Sequence, residues 1–421
     1  MESNQSNMKM RIWLINDGEN LPVDGKNPRL QRMGMLAYRL GGMGVNVTWW
    51  QSTFNHYKKE YRSDKDTDVE LTPQLELKMI HSSIGYKKNV SLRRLVHQWH
   101  MAKKFYKKAN QEPVPDLILC CMPTLEFLRY AVKYAKKKNV PYIVDVRDLN
   151  PDVFLSPFHG IMRVIVSIGI KPMQWSLTKG LRGAKGIAAT SEPYLDWALK
   201  YAGRGHSNND RVFYVAYPDC ELPSGLSENS RWKKYENHKG LICCFFGQFG
   251  KLVDYETIIK AAQICQDEKL DVRFLICGNG ELLEHYQNLV KEKRLTNVDI
   301  PGWVNQTDIR EIGYISDLGL MAYYPNEAFN MQMPNKFSEY LALGLGIALQ
   351  PTGVMKKKIE DNSCGFHYEN ENELVLQLKF LLEHPAELKT IRGNSRKLFE
   401  ESFSSFVVNK DYAEYLISNA K

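Results

Sequence analysis

Several short stretches of this chain gather residue types that suit an anionic, hydroxyl-rich ligand. The richest is Met331-Gln-Met-Pro-Asn-Lys-Phe-Ser-Glu-Tyr-Leu-Ala-Leu-Gly344, which follows an apolar run at 318–323. Phe337, Tyr340, Leu341 and Leu345 share one side of a helix, so the polar residues collect where a loop becomes that helix. A helix N-terminus presents unpaired N–H groups and a positive dipole end, which favours an anion. Glu339 lies about one turn in, where a carboxylate either accepts hydrogen bonds from sugar hydroxyls or simply complements the dipole. Two further turns follow apolar runs: Gly247-Gln-Phe-Gly-Lys251 and Gly278-Asn-Gly-Glu281. Three such turns on one sheet edge would converge on a phosphorylated ligand, the mark of a nucleotide site. A fourth stretch, Asp145-Val-Arg-Asp-Leu-Asn-Pro151, ends an apolar run at 140–144. Charged residues at the C-terminal end of a parallel strand lie where open α/β sheets bind ligands.

These stretches need strands and helices to hold them. Residues 10–16 read as a strand, 30–40 as a helix closed by Gly41-Gly42, and 45–51 as a second strand. That opening is β-loop-α-β, the start of a parallel sheet with helices on its faces. The first loop carries Gly25 and Lys26 but lacks G-x-G-x-x-G, so the nicotinamide fingerprint is absent. Helices are predicted near 92–106 and 125–138, and strands at 116–121, 187–189 and 211–215. Residues 217–240 lose apolar periodicity and gain proline, glycine and serine, the texture of a linker. Alternation then restarts: strands at 241–246, 272–277, 298–300 and 347–349, a helix around Ile258, Ala261, Ala262 and Cys265, and helices from 371 onward. The expected domains are 8–216 and 241–395, joined by the linker, with 396–421 a helical tail that can return to the first domain. The fold class is α/β, with two doubly wound Rossmann-like domains facing a cleft, and such a cleft is a default ligand site.

Bulk properties narrow the function. A chain of 421 residues exceeds one ordinary core. It is 43% hydrophobic and 25% charged, with no apolar stretch long enough to span a bilayer. The polar leader Met1-Glu-Ser-Asn-Gln-Ser-Asn7 lacks the apolar centre of a signal peptide, so a cytoplasmic location is expected. Eight cysteines without C-x-x-C spacing read as buried thiols. The net charge of +8 is unevenly placed: residues 1–215 hold 33 Lys/Arg against 19 Asp/Glu, the remainder 23 against 29. Residues 77–111 carry nine Lys/Arg and no acid; residues 153–191 carry five and no acid.

Over most of its length, and most strongly from Gly247 to Pro351, the chain resembles glycosyltransferase family 4, retaining enzymes of the two-domain GT-B fold. Phe245-Phe-Gly-Gln-Phe-Gly-Lys251 resembles the family's first donor-phosphate loop, and Phe274-Leu-Ile-Cys-Gly-Asn-Gly-Glu281 its second glycine turn. Pro301-Gly-Trp-Val304 resembles the segment whose backbone meets the nucleotide base, which places Trp303 and Val304 there. The stretch from Pro334 through Asn335, Lys336 and Glu339 to Gly344 resembles the variant donor motif of bacterial O-antigen and capsule transferases, in which the matching Glu holds the ribose. Val146-Arg-Asp-Leu-Asn-Pro151 and Trp49-Trp-Gln-Ser-Thr-Phe-Asn-His56 resemble fucosamine-transferase-like members. Two positions depart from the common pattern. Gln248 stands where the family has an Arg, and Met331 where it has a Glu that contacts the donor sugar.

The resemblance implies sugar transfer from a nucleotide diphosphate, with retention and no metal or other cofactor. Charge on the leaving diphosphate must be stabilised, and Lys251 and Lys336 are the candidate cations; the competing reading is solvated surface lysines. Gly247, Gln248, Gly250, Gly278 and Gly280 would form the donor loops. Arg147 is read either as a phosphate contact or as a partner of Asp145 or Asp148. Asp148 is either a base for the acceptor hydroxyl or the group that orients Arg147. Gly25 and Lys26 either touch the acceptor or form an ordinary surface turn. The two acid-free basic segments, with Trp99, Phe105, Phe158, Ile161, Met162, Ile165 and Trp175, suit an anionic inner-membrane surface better than nucleic acid, for which no module pattern exists. A lipid-diphosphate-linked sugar acceptor would account for both. Two other readings stand beside the transferase: a catalytically degenerate membrane-bound partner subunit, and a nucleotide-sugar 2-epimerase.

Overall fold

The computed structural model describes residues 10–26, 28–89, 91–219 and 221–420. The chain forms two compact units, one running to Phe213 and including the stretch from Asn409, the other Tyr214–Val408.

In the first unit β1 (Arg11–Ile15), α1 (Arg32–Gly42) and β2 (Asn46–Ser52) form the opening parallel crossover. A small antiparallel pair follows, β3 (Phe54–Asn55) with β4 (Glu60–Tyr61), then β5 (Thr67–Thr72) and β6 (Leu75–Ile80). The chain continues with α2 (Leu92–Ala109), β7 (Leu117–Cys121), α3 (Leu125–Lys138) and β8 (Tyr142–Val146). It closes with α4 (Gly160–Gly169), α5 (Lys171–Arg182), β9 (Gly186–Ala189), α6 (Glu192–Ala202) and β10 (Arg211–Val212). Strand order is β10-β9-β8-β7-β1-β2-β6-β5, parallel throughout except β5 against β6. The chain reverses direction across the sheet between β1 and β7, so the ligand crevice of such a sheet lies there. The inner strands are apolar on both faces because helices cover both. Trp13, Trp50 and Phe105 lock α2 to the sheet, with ring centroids 5.4 Å and 5.2 Å apart in edge-to-face pairs.

The second unit contains β11 (Leu241–Gln248), α7 (Tyr255–Asp267), β12 (Val272–Asn279), α8 (Leu283–Glu292) and β13 (Val298–Gly302). Next come α9 (Gln306–Ile315), β14 (Leu318–Met321), α10 (Glu327–Met331), α11 (Asn335–Ala342) and β15 (Gly346–Leu349). It is completed by α12 (Val354–Asp361), β16 (Gly365–His367), α13 (Glu371–Glu383), α14 (Pro385–Leu398) and the start of α15 (Ser405–Ala420). Its six strands run β13-β12-β11-β14-β15-β16, all parallel, with the reversal between β11 and β14. One core layer packs α11 and α12 on the sheet, another packs α7 and α13 on the opposite face. Residues 217–240 lie in this unit, and Leu226, Trp232 and Tyr235 are buried there.

Several elements differ from the sequence expectation. The strand expected at 140–144 is Tyr142–Val146, which carries Asp145 into the sheet interior. Residues 211–215 pair as a strand only over Arg211–Val212; the Phe213 amide makes the last bond to β9, donating to the Ala189 carbonyl at 2.9 Å, and its ring stacks on Tyr412 at 4.0 Å. The β5–β6 pair was not anticipated, and it changes the basic segment beside it. Lys78 is buried among Glu76, Asp68 and Glu112, while Lys104 and Lys108 reach Asp66. Phe105, assigned to a membrane-facing surface, is fully buried. The seven cysteines among the described residues are free and buried. No helix of the described residues is long and apolar enough to cross a membrane.

Candidate functional site

In the second unit the C-terminal ends of the strands gather the glycine turns. Gly247 pairs with Gly278 and Gln248 with Asn279 in the β11–β12 ladder, and Cys277 pairs with Gly302 on the far side. The approach is close. A Cβ on Gly278 would sit 1.7 Å from the Gly247 carbonyl oxygen, and one on Gly280 2.4 Å from that of Phe249, both at positive φ. Only glycine admits these contacts. The Phe249 amide donates to the Asn279 carbonyl at 2.9 Å and welds the two loops together.

Helix α11 reaches the same edge. Tyr340 anchors it from inside: a Cβ on Gly319 would lie 2.4 Å from its ring, and its hydroxyl donates to the Leu320 carbonyl. Ser338 donates to the Val215 carbonyl at 2.5 Å. The Lys336 ammonium lies over the Phe245 ring at 3.5 Å and 5.0 Å from the Tyr323 ring centroid, so close to Gly247 that a Cβ there would be 2.7 Å away. Burial lowers its pKa to about 7, and Glu339 offsets only part of that loss. Glu339 is buried and accepts a 2.7 Å hydrogen bond from the Tyr217 hydroxyl. No acid lies in the first turn of α11, so Glu339 is placed too deep to act as a simple dipole complement. Pro334 caps the helix in an extended conformation and Asn335 is exposed.

The remaining donor-side residues are looser. Lys251, Gln248 and Trp303 are exposed, Trp303 at 68%, while Val304 is buried. The Gln248 carbonyl accepts from the Tyr255 hydroxyl at 2.9 Å; the Gln248 side chain takes no part in that contact. Gly250 lies in the same loop, where Val253 donates to its carbonyl. The geometry brings Gly247, Gly278, Gly280 and Lys336 together and leaves the Lys251 side chain in solvent.

In the first unit Arg147 pairs with Glu19, not with Asp145 or Asp148. Glu19 is buried and also accepts from the Met33 amide at 3.1 Å, capping the start of α1. Asp145 is fully buried and held by two 2.9 Å bonds from Arg32. Burial pushes the Asp145 carboxyl up, but the Arg32 guanidinium more than offsets this and holds it below the usual range. Asp148 is half-buried. Burial pushes its carboxyl up, and the Leu149 amide with the charges of Arg94 and Arg147 only partly opposes that. Gly25 and Lys26 occupy the exposed tip of the β1–α1 loop, whose base is fastened by Arg62 to Asp24 at 2.6 Å. Glu19 was missed because 128 residues separate it from Arg147; its position just after β1, on the edge where β8 also ends, was the available signal.

Residues 227–398 match the family model for glycosyl transferases group 1. Among solved structures, HepE of Anabaena in complex with UDP and glucose is similar at 15% identity and a TM-score of 0.64, covering 97% of this chain and 100% of that one. A sucrose-phosphate synthase from Thermosynechococcus elongatus matches at 14% identity and a TM-score of 0.70, over 97% and 99% of the two chains. WaaG, a glycosyltransferase involved in lipopolysaccharide biosynthesis, matches at 13% identity and a TM-score of 0.60 with the same coverage. No curated protein matches the chain. The chain therefore has the GT-B fold, two Rossmann-like units, and its second unit carries the sequence pattern of group 1 glycosyl transferases.

Proposed function

We propose that this protein transfers a sugar from a UDP-sugar, with retention, to a lipid-linked saccharide during surface polysaccharide synthesis, on the inner face of the cell membrane. The observation that carries the donor reading is the meeting of Lys336, Gly247 and Gly278 at one strand edge, with Glu339 one turn deeper on α11. Backbone N–H groups of the glycine loops and the α11 N-terminus take the diphosphate, while Lys336 and Lys251 neutralise the charge that develops as the sugar leaves. Glu339 takes the ribose hydroxyls, and the segment at Trp303 and Val304 takes the base. HepE is described with bound UDP and glucose, which makes UDP the first nucleotide to test.

On the first unit, Asp148 serves as the base for the acceptor hydroxyl, because a carboxyl pushed up by burial is a better proton acceptor. Arg147, held by Glu19, faces phosphate, and Gly25 and Lys26 contact the acceptor. Membrane contact falls to α4 and α5. Helix α4 has no buried residue and exposes Ile161, Ile165 and Ile168, while α5 presents Trp175 with Lys179 over its ring.

The deciding experiment is a thermal-shift panel of UDP, GDP and dTDP, followed by transfer to a polyprenyl-diphosphate-linked sugar. Stabilisation grows with ligand concentration by mass action. UDP is expected to raise Tm and its sugars to support transfer. Stabilisation without turnover would select the degenerate subunit, and a 2-epimeric sugar, still on its nucleotide or released by hydrolysis, would select the epimerase. Stabilisation by none of the three would remove the donor reading.

A further inference from the structure

A cavity of about 430 Å³ lies in the first unit beside the start of α2. Lys59, Lys87, Lys88 and Arg93 line it, and among the described residues that line it there is no acid. Its floor is aromatic: Phe54 and Tyr61 meet edge-to-face at 5.1 Å, and Tyr86 is tilted against Phe54 at 4.7 Å. Gly85 keeps the space open, since a Cβ there would meet the Tyr61 hydroxyl at 3.1 Å and the Phe54 ring at 3.2 Å.

The electrostatics are unfavourable without a counter-charge. Helix α2 has 18 residues, and its first turn contains no acid. Arg93 and Arg94 occupy that turn instead, next to Lys87 and Lys88. Cations at a helix N-terminus oppose its dipole. Burial and the Arg94 charge hold the Lys59 amine below its ordinary pKa. Ser91 caps the helix by accepting from the Arg94 amide at 3.2 Å, which fixes the N-terminus toward this cluster. Unlike Lys78, Lys104 and Lys108 of the same segment, which find acids on the β5–β6 side, the cavity cations have none lining their site. The cavity is also tied to the edge that bears Glu19 and Arg147. The Tyr86 hydroxyl bonds His56 Nδ1 at 2.7 Å, and the His56 side chain lies beneath Gly18 of the loop after β1.

We propose that this cavity binds a phosphorylated sugar, with the phosphate among Lys59, Lys87, Lys88, Arg93 and the α2 N-terminus, and the sugar ring against Tyr61. Within the transferase reading the phosphate belongs to the acceptor, and that role rests on the reading; the binding itself does not. Cation clusters at a helix N-terminus select phosphate, and an exposed tyrosine face adds contact with a sugar ring.

The test is calorimetric titration of the full chain, held in saturating UDP so that the donor site is filled, with glucose 1-phosphate, inorganic phosphate and methyl glucoside as probes. Glucose 1-phosphate is expected to bind saturably, inorganic phosphate about tenfold more weakly, and the neutral glucoside not measurably. Lys87 and Lys88 are exposed, so K87E/K88E should fold; it is expected to weaken glucose 1-phosphate by about tenfold or more. Y61A should bring glucose 1-phosphate down to the level of inorganic phosphate. Equal affinities for the two anions in the unaltered protein, no saturable binding, or binding indifferent to K87E/K88E would overturn the proposal. UDP binding is read separately in each protein: UDP that binds while glucose 1-phosphate does not removes this site alone, and the reverse removes the donor reading while this site stands.

Discussion

At the scale of single residues, Lys336 separates a ligand contact from a structural lysine. Its amine sits over Phe245 and next to Gly247, with its pKa lowered to about 7 by burial. In the free protein it therefore loses its proton as pH rises through about 7. A bound diphosphate favours the charged form, so donor binding takes up a proton above that point. Affinity for UDP-glucose, whose phosphates stay fully ionised, should fall by up to about tenfold per pH unit between pH 7 and 9. Calorimetry in two buffers of different ionisation enthalpy should show the matching proton uptake at pH 8. K336R, which cannot lose its charge, should flatten the profile. A pH-independent affinity in the unaltered protein would place Lys336 away from the diphosphate. Glu339 belongs to the same edge. E339Q keeps the shape and the Tyr217 contact but weakens acceptance from ribose hydroxyls, and the expected cost is about 1 to 2 kcal/mol of UDP affinity by titration.

At the scale of elements, the two sites depend on strand ends that approach closely. Gly278→Ala would drive a Cβ into the Gly247 carbonyl, at a φ that L side chains rarely adopt. It should destabilise the second unit by about 3 kcal/mol or more in urea unfolding and abolish UDP binding. A full-strength, UDP-binding G278A would show that the two loops are not welded. In the first unit, Glu19→Gln leaves the Arg147 guanidinium without its carboxylate and weakens the cap on α1. A loss of about 3 kcal/mol is expected, read from the urea midpoint. Much of this architecture was readable from periodicity. The apolar runs and helix stripes marked most of the parallel strands and helices α1, α2, α3, α7, α11 and α13, but not β6, β16, α4, α5, α9 or α12. Those marked stood out because buried parallel strands are apolar on both faces and core helices keep a stripe. What escaped depends on contacts distant in sequence. The β5–β6 pair is an edge element with mixed polarity, Thr-Asp-Val-Glu-Leu-Thr at 67–72, so neither period stood out. The two-residue shift of β8 turned Asp145 from a candidate ligand contact into a buried partner of Arg32. No local pattern paired Glu19 with Arg147, because they come from loops after different strands. The two glycine turns were recognisable because each follows directly on an apolar run, although the need for glycine at Gly278 and Gly280 comes from the other loop's carbonyls. Lys336 was recognisable only through its place at a helix start; its stacking on Phe245 depends on two strands meeting.

At the scale of the whole molecule, the question is what the basic, apolar surface of the first unit meets. Helix α4 carries Ile161, Val164, Ile165 and Ile168, all more than half exposed. Beside it a groove between α3 and α5 is lined by Arg129, Lys133, Lys136 and Lys179 with Trp175. An apolar helix flanked by cations, with an indole at its border, matches the layering of an anionic bilayer surface: acyl chains, interface, headgroups. Each lysine or arginine near such a surface contributes about 1 kcal/mol, screened within a Debye length of roughly 10 Å at 0.1 M salt. Flotation should therefore carry the full chain with vesicles containing phosphatidylglycerol at low salt, less so in 0.5 M salt, and not with purely zwitterionic vesicles. Because Ile161 and Ile165 are exposed, I161E/I165E should leave Tm within about 2 °C of the unaltered protein while reducing vesicle binding about tenfold or more. K133E/K136E should reduce binding and its salt dependence together, leaving the apolar contribution. A protein that floats equally well with both pairs of substitutions would show that the acid-free segments serve a soluble partner instead. Flotation that survives only I161E/I165E would assign the attachment to charge alone and leave α4 for another surface.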